Sequence, residues 1–161
     1  MPVLLDGYNL LRSVEKVSDT ETLTDTALCR LLSNYLRYIG EFGEIVFDGI
    51  GPREKAPFKD LPNLDVTFSG SQIEADEIIE IRIEANTAPK RLIVVSSDRR
   101  IAAAASKRKA VSVKVELFWA EMMTTLARIP KKKKIAEPIE KRQGITEAET
   151  DYWLKVFGFK E

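Results

Sequence analysis

Apolar residues follow two alternating patterns along this chain. Short apolar runs, which predict strands, fall at residues 3–5, 45–47, 66–68, 92–95 and 111–115. Longer segments with apolar residues every three or four positions predict helices at 24–39, 74–85, 98–106 and 117–129. Because strands separated by helices favour parallel pairing through right-handed crossovers, the sequence predicts an α/β fold with a parallel sheet. The alternation of the run at 111–115 indicates an edge strand.

The helix predicted at 24–39 has the clearest pattern. One apolar stripe is formed by Leu28, Leu31, Leu32, Tyr35, Leu36 and Ile39. Thr24 is expected to cap its start, and Gly40 and Gly43 are expected to end it. The polar segment between the first strand and Thr24 is expected to be a loop, as is the Pro- and Gly-rich segment 49–63.

The character of the chain changes after Pro130. We expect a folded domain over residues 1–130, a basic linker over 131–145 and a short docking helix over 146–161. Because that last segment carries several large apolar side chains, we expect it to bury them. The sequence leaves open whether they pack on the same chain or on a second copy in a homodimer.

Composition excludes several kinds of site. The 161 residues include no histidine, which excludes histidine-containing zinc sites, Ser-His-Asp triads and histidine general bases. The single cysteine, Cys29, is expected to pack as a small apolar residue in an intracellular protein. No segment has the pattern of a signal peptide or the length of a membrane span, so we expect a cytoplasmic protein that does not associate with membranes.

Four aspartates stand out by position. Asp6, Asp48 and Asp98 follow predicted strands, and Asp76 lies in the first turn of a predicted helix. Side chains at the carboxyl ends of parallel strands converge on one crevice. Carboxylates gathered there would repel one another unless a cation lay among them. A divalent metal site that hydrolyses phosphate esters is therefore predicted.

Each of these acids also has an ordinary explanation. Asp6 and Asp48 each precede a glycine, a common turn pair, and Asp98 suits a helix N-cap. Asp76 and Glu74 lie where the helix dipole favours an acid. Together they favour a shared site, because the predicted topology brings them to one edge of the sheet. Asn9 is suited to contact a phosphate or a metal-bound water, and equally to cap a helix.

Four short motifs resemble a known family. DGYN at the N-terminus, FDG after the second strand, ADEIIE at a helix start and SSDRR after a later strand are similar to those of the NYN domain, in the YacP-like branch of the PIN-like nucleases. The resemblance covers about residues 1–127. It implies a PIN-like three-layer α/β/α fold with a mostly parallel central sheet, a Mg²⁺ or Mn²⁺ site, and endonucleolytic cleavage of RNA.

The resemblance also implies roles for individual residues. Asp6, Asp76 and Asp98 match the family's metal-binding acids, and Asp48 matches the acid of its second strand. Asn9 matches the asparagine after the first strand. Ser97 matches the small hydroxyl residue before the last acid. The chain departs from the family where Ile101 and an alanine run follow the last acid, and in the segment before Asp76, which puts substrate specificity in doubt more than metal binding.

These observations predict a metal-dependent endoribonuclease. One or two Mg²⁺ or Mn²⁺ ions are expected among Asp6, Asp76 and Asp98, with Asp48 or Glu74 as an additional ligand or as a support for one. Arg53, Arg99 and Lys107 are expected to attract the RNA backbone. The net charge of zero argues weakly against nucleic acid, although clustered basic residues outweigh the total. The expected partner is RNA, including ribosome-associated mRNA.

Three other functions fit parts of the sequence. A PIN-like module could bind RNA or a ribosome without cutting. A haloacid dehalogenase-type phosphatase needs two aspartates separated by one residue, whereas Tyr8 occupies the second position. A scaffold protein would need no metal, so binding of Mn²⁺ would exclude it.

Overall fold

The computed structural model describes residues 2–17 and 23–129. Its sheet has five strands: β1 Val3–Asp6, β2 Gly43–Phe47, β3 Leu64–Phe68, β4 Ile93–Val95 and β5 Val111–Val113. They lie in the order β3-β2-β1-β4-β5, and every neighbouring pair is parallel. The parallel sheet predicted from the sequence is confirmed.

Five helices connect and cover these strands. They are α1 Gly7–Val17, α2 Asp25–Ile39, α3 Ala75–Ala85, α4 Arg99–Lys107 and α5 Val115–Ala127. Short 3-10 turns occur at Ala56–Phe58 and Pro89–Arg91. No helix in the described part of the chain is long and apolar enough to cross a membrane.

The helices form two layers, one on each face of the sheet. Val3 and Leu5 of β1 belong to a core shared with α1, α2 and α5, whereas Leu4 belongs to a second core shared with α3 and α4. This alternation follows from the two-residue period of a strand. The expected three-layer α/β/α fold is therefore confirmed.

Helix α2 forms as its sequence predicts. The hydroxyl of Thr24 accepts a hydrogen bond from the Ala27 N–H over 3.0 Å, which caps the first turn. Gly40 ends the helix with φ at 71°, a conformation that glycine adopts without steric cost. The prediction that Gly43 also ends this helix was wrong, since Gly43 is the first residue of β2.

Helix α1 occupies part of the segment expected to be a loop, so that expectation was wrong. Leu10, Leu11 and Val14 are buried on one side of it. The first residue of the helix is Gly7, and a Cβ at this position would overlap the ring of Phe47 on β2.

Other element boundaries differ by a few residues. Strand β5 ends at Val113, and Val115 already begins α5, so the predicted strand was too long and the predicted helix started too late. β5 is an edge strand, as expected, with Val111 and Ser112 exposed. The predicted linker 131–145 and docking helix 146–161, and with them the homodimer contact, lie outside the described residues.

The strand order reverses beside β1. From β1 the chain adds β2 and β3 on one side, and then crosses to add β4 and β5 on the other. A crevice forms where such crossovers leave in opposite directions, at the carboxyl ends of the strands. Here it lies between the ends of β1 and β4, beside Asp6 and the segment that leads to Asp98.

Candidate active site

Asp6 is the innermost acid of the crevice. It is the last residue of β1, with 6% of its surface exposed. Its Oδ2 accepts hydrogen bonds from Asn9 Nδ2 over 3.0 Å and from Ser96 Oγ over 3.2 Å. The backbone N–H of Asn9 lies 3.5 Å from Oδ1, so Asp6 also caps the start of α1. Asn9 therefore orients the Asp6 carboxylate, and this bond uses one of the two hydrogens of the Asn9 side-chain amide.

Ser96 links two of the predicted acids. Its side chain is buried, and besides donating to Asp6 it accepts a hydrogen bond from the Asp98 N–H over 3.0 Å. Asp98 in turn accepts from the Arg100 N–H over 2.7 Å and so caps α4. The N-cap explanation of Asp98 is thus correct, and it is compatible with a place at the crevice.

The electrostatics of Asp76 show that the acids share one environment. Burial raises its pKa to about 6, and repulsion from Asp98, Asp6 and Glu74 adds to the rise, while Arg100 opposes it. Burial also raises the pKa of Asp6, against the hydrogen bonds from Asn9 and Ser96. Acids from β1, from α3 and from the end of β4 therefore interact in the folded protein. A cation among them would relieve this repulsion.

Asp48 has a different environment from the other three aspartates. Its Oδ1 accepts from the Ala75 N–H over 3.0 Å and from Ser69 Oγ over 3.3 Å. It therefore fixes the first residue of α3, directly before Asp76. Glu74 occupies the N-cap position of α3, makes no side-chain capping bond and is exposed.

Ser97, directly before Asp98, contacts α5 rather than Asp6. Its Oγ donates to Glu116 Oε2 over 3.2 Å and accepts from the Val115 N–H over 3.4 Å, at the start of α5. The hydroxyl that contacts Asp6 belongs to Ser96, which the sequence analysis missed. The available signal was the alternation of side chains along β4. Continued past Val95, this alternation directs the adjacent side chains of Ser96 and Ser97 to opposite faces of the sheet.

The predicted cationic residues lie at different ends of the fold. Arg99 begins α4 beside Asp98, and Arg53 is exposed in the loop that follows β2. Lys107 is the last residue of α4, about 12 Å along the helix axis from its first residue. The neighbouring Arg108 donates to the Asn86 carbonyl just past the end of α3. Lys107 therefore lies at the end of α4 that is away from Asp98.

Comparison with known proteins agrees with this architecture. The family model of the YacP-like NYN domain matches residues 3–155. The chain belongs to this family.

Solved structures show the same fold. Rae1 (YacP) from Bacillus subtilis is similar at a TM-score of 0.67 and 21% identity, over 98% of this chain and 92% of that one. Its W164L mutant is similar at a TM-score of 0.63 and 21% identity, over 95% of this chain and 99% of that one. No curated protein matches the chain. The YacP-like NYN domain is part of a PIN-like nuclease family, and its match here extends past residue 127, where the resemblance of the short motifs ends.

The acids of this YacP-like NYN domain fit a hard divalent cation in their chemistry. Carboxylate oxygens are the ligands that Mg²⁺ and Mn²⁺ prefer. Within residues 2–17 and 23–129, however, no three acidic or cysteine side chains are close enough together to hold an ion as they stand. Binding would therefore require the carboxylates to rotate toward one another, with water filling the remaining positions, as is usual for Mg²⁺.

Proposed function

We propose that this YacP-like NYN domain is a metal-dependent endoribonuclease that hydrolyses RNA phosphodiester bonds. The observation that carries the proposal is the gathering of Asp6, Asp76 and Asp98 at one edge of the sheet, where burial raises the pKa of Asp76 to about 6 and repulsion from the other two acids adds to the rise. These acids flank the strand-order reversal, where α/β proteins bind ligands. Without a cation the arrangement is costly, so it favours a function that uses one.

Each residue of the site would have a distinct role in binding or positioning the metal ion. Asp6, Asp76 and Asp98 would hold Mg²⁺ or Mn²⁺, with Glu74 as a further ligand. The ion would supply activation of a water and neutralisation of phosphate charge. Ser96 and Asn9 orient the buried carboxylate of Asp6 through the hydrogen bonds described above.

Asp48 would act through the helix rather than on the substrate. Its bonds to Ala75 and Ser69 hold the N-terminus of α3, so it would set the position of Asp76. Arg53, exposed in the loop after β2, and Arg99, next to Asp98 at the start of α4, would attract the RNA backbone. The further proposal that the substrate is a ribosome-associated mRNA in the cytoplasm rests on the family resemblance alone.

A cleavage assay tests the function. Wild-type protein should cut a long mixed-sequence RNA in Mn²⁺ or Mg²⁺ and not in EDTA. Asp76→Asn should lose about 10²-fold or more in rate, as is typical when a group stabilising the transition state is removed. Asp65→Asn is the matched control, because Asp65 is an exposed acid near the start of β3, away from the crevice.

The same assay separates the alternative of a silent RNA-binding module. That module would retain RNA in a filter-binding assay and leave it intact with either metal. Cleavage of equal rate in wild type and Asp76→Asn would show instead a contaminating nuclease or a site elsewhere in the chain.

A further inference from the structure

Two arginines occupy an unfavourable position at the start of α4. Arg99 and Arg100 are its first two residues, whereas the positive end of a helix dipole disfavours cations. Arg100 is held in place there by an acid: its Nε lies 2.5 Å from Glu80 Oε1 on α3. About half of the Arg100 side chain, 52%, is still exposed. The guanidinium is therefore fixed at one end and accessible from solvent.

The partner of Arg100 stands directly beside the site. Glu80 and Asp76 are four residues apart in α3, so they share one face of the helix with Cβ atoms about 5–6 Å apart. Arg100 is also the cation whose charge counteracts the acids around Asp76. The contact with Glu80 therefore places the guanidinium about one helical turn of α3 from the position of Asp76.

We propose that Arg100 is a further catalytic residue, which leaves Glu80 when RNA binds and contacts the non-bridging oxygens of the phosphate to be cleaved. This inference rests on the proposed function. A guanidinium presents a planar set of donors that matches a phosphate. A cation bound by Asp76 would repel the guanidinium, whereas the phosphate would attract it. No proton is transferred, since arginine stays protonated throughout the physiological range.

If Arg100 contacts the phosphate, its replacement should lower the rate of RNA cleavage without lowering the affinity for Mn²⁺. Arg100→Gln should cleave RNA about 10²-fold more slowly in single-turnover conditions, because one charged donor to the transition state is lost. Its affinity for Mn²⁺, measured calorimetrically without RNA, should be unchanged or higher, because a positive charge near the acids has been removed. Arg100→Lys should recover part of the rate.

The chain offers a matched control. Arg82 lies on α3 with 46% of its side chain exposed, and its Nε pairs with Glu44 Oε1 over 2.9 Å, at the beginning of β2. Arg82→Gln therefore also removes one half-exposed arginine from an ion pair, at a distance from the crevice. It should match wild type in cleavage rate and in Mn²⁺ affinity.

Three outcomes would overturn the role of Arg100. Cleavage by Arg100→Gln at the wild-type rate is the first. The second is a joint loss of Mn²⁺ affinity and thermal stability, which would mean that the Arg100–Glu80 pair is structural. The third is an equal affinity for RNA of Arg100→Gln and Arg82→Gln in Ca²⁺, whereas a larger deficit in Arg100→Gln supports a phosphate contact. This binding measurement needs no cleavage, so it tests Arg100 even if wild type cuts no RNA, a result that would refute the proposed function separately.

Discussion

Ser96 joins Asp6 to Asp98, donating its hydroxyl hydrogen to Asp6 Oδ2 over 3.2 Å and accepting from the Asp98 N–H over 3.0 Å. The two aspartates lie more than ninety positions apart in the sequence, and one buried hydroxyl holds them close together in the fold. The side chains of Asn9 and Ser96 both donate to Oδ2 of Asp6, whereas Oδ1 accepts from the Asn9 backbone N–H. Ser96 is thus a positioning residue for the acid crevice.

Replacement of Ser96 should weaken metal binding. Ser96→Ala removes one of the hydrogen bonds that orient the buried Asp6, and supports of this kind are typically worth about 10–100-fold in metal affinity. Calorimetric titration with Mn²⁺ checks this. Ser97→Ala, which removes the contacts with Glu116 and with the Val115 N–H at the start of α5, is the neighbouring control and should bind Mn²⁺ as wild type does. Equal losses in the two variants would contradict the assignment.

Asp48 should act as an acceptor rather than as a charge. Asp48→Ala removes the bonds to Ala75 and Ser69 and should lower the free energy of unfolding by about 1 kcal/mol, with a lower cleavage rate because Asp76 is less well held. Asp48→Asn keeps an acceptor oxygen and should retain most of the stability and most of the cleavage rate. Urea unfolding and single-turnover cleavage measure the two effects. If Asp48→Asn is as inactive as Asp76→Asn, Asp48 is itself a ligand.

The raised pKa of Asp76 predicts how stability changes with pH in the absence of divalent metal. Because the folded protein binds this proton more tightly than the unfolded chain, the stabilisation is complete below about pH 4 and is lost as pH rises through about 6. Asp76→Asn should therefore melt at a higher temperature than wild type at pH 7 to 8, in EDTA. Melting curves of both proteins across this range measure it, with Asp65→Asn as the control. A lower melting temperature for Asp76→Asn would show that the charged carboxylate is stabilising.

Replacement of Arg99 and replacement of Lys107 should change RNA binding differently, although both residues belong to α4. Arg99→Gln, at the crevice end, should weaken RNA binding and reduce the slope of log affinity against log salt by about 1. Lys107→Gln, at the far end of the helix, should leave the slope unchanged. Fluorescence anisotropy with a labelled RNA at several salt concentrations measures both. Equal changes would place the RNA along the whole of α4.

Much of the fold could be predicted because its strongest patterns are local. The stripe of α2 and the cap at Thr24 are fixed by nearby residues. Helix α1 was missed because Asp6 and Gly7 resemble a turn pair, and its apolar residues Leu10, Leu11 and Val14 are buried only through tertiary packing.

The site was harder to predict in detail. The edge of the sheet that gathers the acids follows from topology, so Asp6, Asp76 and Asp98 could be grouped from the sequence. The choice between Ser96 and Ser97 depends on which of two adjacent side chains turns inward, and motif spacing does not determine this. The position of Lys107, in contrast, follows from the rise of a nine-residue helix.

The most direct test of the account is a crystal of the wild-type protein soaked in Mn²⁺, examined by anomalous scattering. We expect an ion in the crevice between β1 and β4, with oxygens of Asp6, Asp76 and Asp98 at about 2.0–2.6 Å, the range for hard cations. The three carboxylates would have rotated toward it from their positions here. An anomalous peak elsewhere, or none at Mn²⁺ concentrations that support RNA cleavage, would contradict the central claim.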